Sequence, residues 1–176
     1  ARRGLPNLVS TVDALPHYMD PQNIAMFEKF HVYTKEEIAS RTDILLENYS
    51  KVINIEAMTM LDMTKKKLLP AAMEYGKKIC DTAIAKKQLG LDASAETKLA
   101  ADLDSNTAKM YEAMQALESK VNAAKEIGDV LECAKAYRSQ VFSAMGDLRT
   151  YADQLEMLVS AEDWPLPPYS DLLFNV

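Results

Sequence analysis

Apolar and polar positions alternate most regularly between Tyr33 and Lys67, in YTKEEIASRTDILLENYSKVINIEAMTMLDMTKKK, and this stretch predicts one long α-helix. Ile38, Leu45 and Val52 recur at heptad spacing with Tyr49 and Met63 on the adjoining line, the stripe that a bundle helix buries. Thr34 followed three residues later by Glu37 is a capping box, and Glu36 and Glu37 suit the positive end of the helix dipole. Lys65, Lys66 and Lys67 stand where the final carbonyls are electron-rich, and Pro70 removes a backbone donor just beyond them, so the helix bends or stops there. At 1.5 Å per residue the segment is roughly 50 Å long, and other elements must lie along it.

From Val52 to Met63 the sequence VINIEAMTMLDM is apolar on nearly every side, which predicts burial on every side. A few helices of one small chain cover a broad face but hardly a full circumference, so a second body is expected against this girdle. Glu56 stands in its middle, with Asp62 six residues on. A carboxylate buried in such surroundings must be paired, hydrogen-bonded or neutral; the expected partner is a lysine or arginine of another helix or of the second body, and Arg138 is a candidate because it interrupts an otherwise apolar seam.

Before the long helix, Gly4, Pro6, Pro16 and Pro21 punctuate the chain and predict extended pieces and short turns. Ser10 or Thr11 can cap one turn through Leu15. Asp20 before Pro21 starts a short helix through Phe30, with Ile24, Phe27 and Phe30 on one face to dock on the long helix. After Pro70 the pattern resumes through Ala72, Tyr75, Ile79, Ala83 and Ile84, favouring a bend over a break, until Gly90 closes the helix in a left-handed conformation. Asp92 or Ser94 caps the next helix, in which Leu103, Met110, Leu117 and Ala124 form one heptad line and Ala100, Thr107, Met114 and Val121 its companion. Gly128 and Asp129 interrupt the pattern. A further helix carries Ala134, Val141, Leu148 and Leu155 beside Leu131, Met145, Ala152 and Val159, which makes an antiparallel helical hairpin ending before Pro165. The tail contains WPLPP, which favours a polyproline II path. Its PxxP spacing at Pro165 and Pro168 is a weak ligand signal; the tail is expected to fold back on Trp164, Tyr169, Leu172, Leu173 and Phe174.

The expected fold is therefore all-α: an elongated antiparallel bundle built on one long, Pro-kinked helix plus a helical hairpin, with irregular N- and C-terminal segments. Residues 1–33 read as a connector with a short helix, 34–163 as the bundle and 164–176 as a proline-rich docking tail. Five glycines and 48% hydrophobic residues in 176 suit one such domain.

Charge and chemistry narrow the function. A net charge of −6 gives no footprint for nucleic acid or an anionic membrane, and Lys77/Lys78 and Lys86/Lys87, interspersed with apolar positions, read as solvated faces. No run approaches the ~20 apolar residues of a membrane span, and Arg2 and Arg3 are followed by Pro6, Asn7 and Asp13 rather than by a signal-peptide core. The chain opens on Ala rather than Met, as a fragment would. Cys80 and Cys133 share no short spacing and read as buried thiols of a reducing compartment. His17 and His31 precede the long helix and neither completes a Glu-x-x-His pair or a zinc spacing, so both read as surface or turn residues. There is no phosphate loop, nucleophile elbow or Cys/His nucleophile pattern, and no catalytic, cofactor or metal residue is assigned.

Three stretches together carry a family resemblance: ARRGLPNLVSTVDALP at the start, YTKEEIASRTDILLENYSKVINIEAMTMLDMTKKKLLPA in the middle and WPLPPYSDLLF at the end. They resemble the C-terminal region of the type III glutamine synthetases, the large bacterial form of that enzyme. INIEAMTMLDM is the most specific, because composition alone would not place that acid inside that apolar run. The resemblance implies a parent enzyme that joins ammonia to glutamate with ATP and Mg or Mn, through a γ-glutamyl phosphate, in cytoplasmic oligomeric rings. It places the substrate and metal residues in an upstream β-grasp domain and catalytic barrel, with no catalytic, ligand or cofactor residue between Ala1 and Val176. It also implies an aromatic residue where this chain has Thr42. The expected partners are the catalytic domain of the same chain and neighbouring subunits, and the isolated chain is expected to be inert. The alternative is a freestanding helical interaction module.

Overall fold

The computed structural model describes residues 4, 6–167 and 169–174, and every element among them is helical. They are α1 (Thr11–Ala14), a 3-10 turn (Leu15–Met19), α2 (Pro21–Lys29), α3 (Lys35–Met63), α4 (Leu69–Gln88), α5 (Ser94–Lys125), α6 (Val130–Ala136), α7 (Phe142–Glu156) and α8 (Tyr169–Phe174). One π-turn (Thr64–Leu68) joins α3 to α4, and another (Tyr137–Val141) joins α6 to α7. The chain divides into two compact units, one made of residues 1–57 and 120–143, the other of 58–119 and 144–176.

The local signals are realised in hydrogen bonds. Thr34 N–H donates to Glu37 Oε2 at 2.8 Å and Glu37 N–H to Thr34 Oγ1 at 3.3 Å, the reciprocal capping box that starts α3. The Thr34 backbone N–H foremost, then the Thr34 hydroxyl, hold the Glu37 carboxyl below its usual range. Gly90 has φ +71°, and Leu91 N–H reaches Lys86 O at 2.9 Å, so α4 closes in a Schellman motif. Asp129 Oδ1 accepts from Glu132 N–H at 2.9 Å and caps α6, and Asp92 Oδ1 accepts from Ser94 N–H at 3.0 Å beside the start of α5.

Pro70 neither stops nor breaks the helix. Helical structure continues from Lys35 to Gln88 because the π-turn before the proline supplies a wider ring, with Leu69 N–H bonded to Thr64 O. The extra residue moves the carbonyl that the pyrrolidine ring would otherwise strike. Lys65, Lys66 and Lys67 consequently lie mid-helix and not at a negative helix end. Lys65 pairs instead with Glu118 at 2.7 Å, and Lys66 with Asp62 one turn back.

In the first unit, α1 and the 3-10 turn insert Val12 and Leu15 against Leu46 of α3 and Ala134 of α6, with Tyr49, Val130 and Leu131 around them. This pair, rather than Ile24, Phe27 and Phe30, anchors the opening of the chain. Phe30 is exposed and α2 has no fully buried residue. The short elements form where the caps place them, Ser10 capping α1 and Pro21 occupying the first turn of α2, with the 3-10 turn Leu15–Met19 between them. In the second unit the core comes from Leu61 and Leu68, from Leu103, Met110 and Leu117 of α5, and from Leu148 and Leu155 of α7. The hairpin's heptad lines are buried as the pattern predicts, Ala124 and Val121 before the turn at Gly128, Ala134 and Val141 after it. Ala100 and Thr107 at one end of the companion line are only half-buried.

Candidate docking surface on the long helix

The buried line of α3 is displaced by one residue from the heptad that the sequence suggests. Ile38, Leu46 and Ile53 face inward, whereas Leu45 is 46% and Val52 44% exposed. Thr42 and Ser50 share the inward face without polar cost, because their hydroxyls donate to Ile38 O at 2.9 Å and Leu46 O at 3.1 Å. The helix thus has a second apolar stripe, Ile44, Leu45 and Val52, that the first unit leaves uncovered.

The girdle divides in the same way. Within the first unit Ile53 and Ala57 are buried while Val52 and Ile55 are exposed; within the second, Leu61 is buried and Met58 exposed. Glu56 lies on the outward side and is exposed, which corrects its reading as a buried carboxylate paired with Arg138. The Arg138 guanidinium instead lies 5.0 Å above the Phe142 ring. Glu56 is still sensed by the interior: burial raises the Tyr49 phenol pKa, and the carboxylates of Glu56 and Asp13 add to that shift against the opposing charge of Arg138. Asp62 is also exposed, in its pair with Lys66.

The remaining candidates are ordinary. His17 Nδ1 lies 2.8 Å from Asp20 Oδ2 at the start of α2, and His31 has φ +52° where α2 closes, with Val32 N–H on Phe27 O at 3.0 Å. No group of three His, Cys, Asp or Glu among the described residues could hold a metal ion. Cys133 is half-buried and donates to Ala124 O at 3.5 Å, but Cys80 is exposed, contrary to its reading as a buried thiol. Trp164 is buried and anchors the tail as expected, beside the pair of Asp163 with Lys78. Leu172 and Leu173 are exposed, so they anchor nothing within the unit, and the tail ends in a short helix, α8. Pro168 and the side chains of Tyr169 and Phe174 lie outside the described residues.

Around the N-terminal half of α3 the exposed apolar stripe borders a cavity of about 310 Å³. Ile38 and Thr42 are its buried floor, Tyr18, Phe27 and Tyr33 form one wall, and Ile44 and Leu45 the opposite lip. Phe27 links the rings, 6.4 Å from Tyr18 and 5.8 Å from Tyr33 between centroids. Arg41 lies over Tyr33 at 4.4 Å.

A family model described as the glutamine synthetase C-terminal domain matches residues 1–87. A glutamine synthetase of Butyrivibrio fibrisolvens is 37% identical over 178 residues, covering 100% of this chain and 25% of its own length. Residues 1–87 therefore match the glutamine synthetase C-terminal domain, and the whole chain is similar to a stretch of the glutamine synthetases. The type-3 glutamine synthetase of Dictyostelium discoideum is 29% identical across 98% of the domain and 24% of its own length. The glutamine synthetase of Bacteroides fragilis is 28% identical across 99% of the domain and 25% of its own length. The domain spans about a quarter of the length of the curated relatives it matches. No helix among its described residues is long and apolar enough to cross a membrane.

Proposed function

We propose that this chain is the non-catalytic C-terminal helical domain of a type III glutamine synthetase, where it contributes packing and subunit contacts. The parent reaction is the ATP-dependent ligation of ammonia to glutamate to give glutamine, in a cytoplasmic oligomer. ATP and Mg or Mn belong to the remainder of that enzyme, and this domain supplies no catalytic residue. The observation that carries the reading is the second apolar stripe of α3, which a self-contained bundle has no use for. Relatives four times as long have the protein to cover it. The same lengths favour this reading over a freestanding interaction module.

The test is to replace Val52 and Met58 with Asp. Both side chains are exposed in the chain by itself, so the 176-residue chain keeps its helicity and melting temperature. In the parent synthetase the same variant reduces assembled particle size and specific activity. Unchanged size and activity would overturn the proposal.

A further inference from the structure

The cavity beside α3 is lined by side chains that hold one another in place. Its aromatic wall is braced ring against ring, and the small Thr42 at the floor leaves the volume open. The Thr42 hydroxyl is satisfied by Ile38 O, so the floor offers a visitor an apolar surface. Arg41 also lines the cavity, its guanidinium 4.4 Å from the centre of the Tyr33 ring. The nearby Glu37 carboxylate is engaged with the Thr34 backbone and feels the Arg41 charge only as its weakest influence, so the guanidinium keeps donors for a further acceptor. A planar donor fork positioned this way suits a carboxylate.

We propose that this cavity receives a bulky apolar side chain, with a carboxylate beside it on Arg41, from the part of the glutamine synthetase chain that lies outside this domain. The inference rests on the proposed function and names its contact. Two observations choose a protein occupant over a small molecule. Met26, Phe30 and Val32, neighbours in sequence of the cavity residues Phe27 and Tyr33, are exposed as well, more apolar surface than one small ligand would cover. In the relatives, about three quarters of the length lies outside the matched segment, so a covering surface is present in the same polypeptide.

The experiment places the photo-crosslinking residue p-benzoylphenylalanine at Leu45 of the full-length synthetase, with Val52 as a second site, and maps the products by peptide mass spectrometry. Crosslinks from position 45 to peptides outside the domain are expected. Arg41→Gln should lower their yield about tenfold, as loss of a charged hydrogen bond does, while far-UV circular dichroism stays unchanged. Crosslinks from position 45 only to another copy of this domain would overturn the proposal. So would capture from position 52 with none from 45, an outcome that leaves the domain reading standing. Silence at both positions would overturn the contact and the domain reading together. A yield unaffected by Arg41→Gln would remove the carboxylate from the proposal.

Discussion

The Tyr137 hydroxyl donates to Asn54 Oδ1 at 3.2 Å, tying the π-turn after α6 to the middle of α3 within the first unit. Tyr137 is buried, and that burial, with a smaller contribution from Cys133, pushes its phenol pKa up. A raised pKa leaves stability intact below the ordinary tyrosine value of about 10 and removes it as pH climbs through the folded value. Tyr49 is shifted in the same direction. Tyr137→Phe should cost about 1 kcal/mol at neutral pH by losing one hydrogen bond. It should also shrink the alkaline loss of stability, followed by denaturant melts between pH 8 and 11.5. An unaltered alkaline limb would mean that Tyr137 titrates as a free phenol.

The acid side has a different origin. Lys78, then the Ser160 hydroxyl, hold the Asp163 carboxyl below its usual range, and Asp163 in turn raises the Lys78 pKa. A depressed carboxyl contributes stability above its unfolded value near 3.9 that is lost as pH falls through the folded value. Asp163→Asn should therefore flatten the fall in melting temperature below pH 4 and, by removing the charge that Lys78 and the Ser160 hydroxyl hold, loosen the turn that carries Trp164. Trp164 fluorescence, reporting a buried indole in the parent chain, should shift to the red in the variant.

Two helix ends give a paired test of backbone strain. Gly90 at φ +71° has nothing within 4 Å of where a Cβ would stand, so Gly90→Ala is opposed by conformation alone and should cost about 1 kcal/mol. His31 adopts φ +52° with a side chain, and His31→Gly should recover a similar amount, about 1 kcal/mol, at the close of α2. Opposite signs in chemical denaturation are expected.

The parts of the fold legible in the sequence are those where one pattern had a single solution. The α5 and α7 heptads have one apolar seam each, and Leu103, Met110, Leu117, Leu148 and Leu155 are all buried. The capping box and Gly90 are local chemistry, and they hold. The register of α3 was not legible because that helix is apolar on two faces. Periodicity cannot separate the line of Leu45 and Val52 from that of Leu46 and Ile53 one residue on. Glu56 reads as buried because the girdle around it is apolar on nearly every side, yet it lies exposed. The π-turn before Pro70 leaves no compositional mark, and the aromatic wall of the cavity depends on how Tyr18, Phe27 and Tyr33 come together, which the short-helix pattern of residues 20–30 does not specify.

That register makes the sharpest comparison. Leu46 and Ile53 are buried in the first unit, and Leu46→Ala or Ile53→Ala should each cost about 2–5 kcal/mol as a cavity opens. Leu45→Ala and Val52→Ala, one position earlier on the same helix, remove side chains already near half-exposed and should stay within about 0.5 kcal/mol in the 176-residue chain. In the longer synthetase that we propose as the parent, the outward pair should become sensitive too, because a partner covering the second stripe would lose its contacts. The contrast is read from urea melts of the four variants in both contexts. If Leu45→Ala proved as costly as Leu46→Ala in the chain alone, the outward stripe would be core, and no covering partner would be needed.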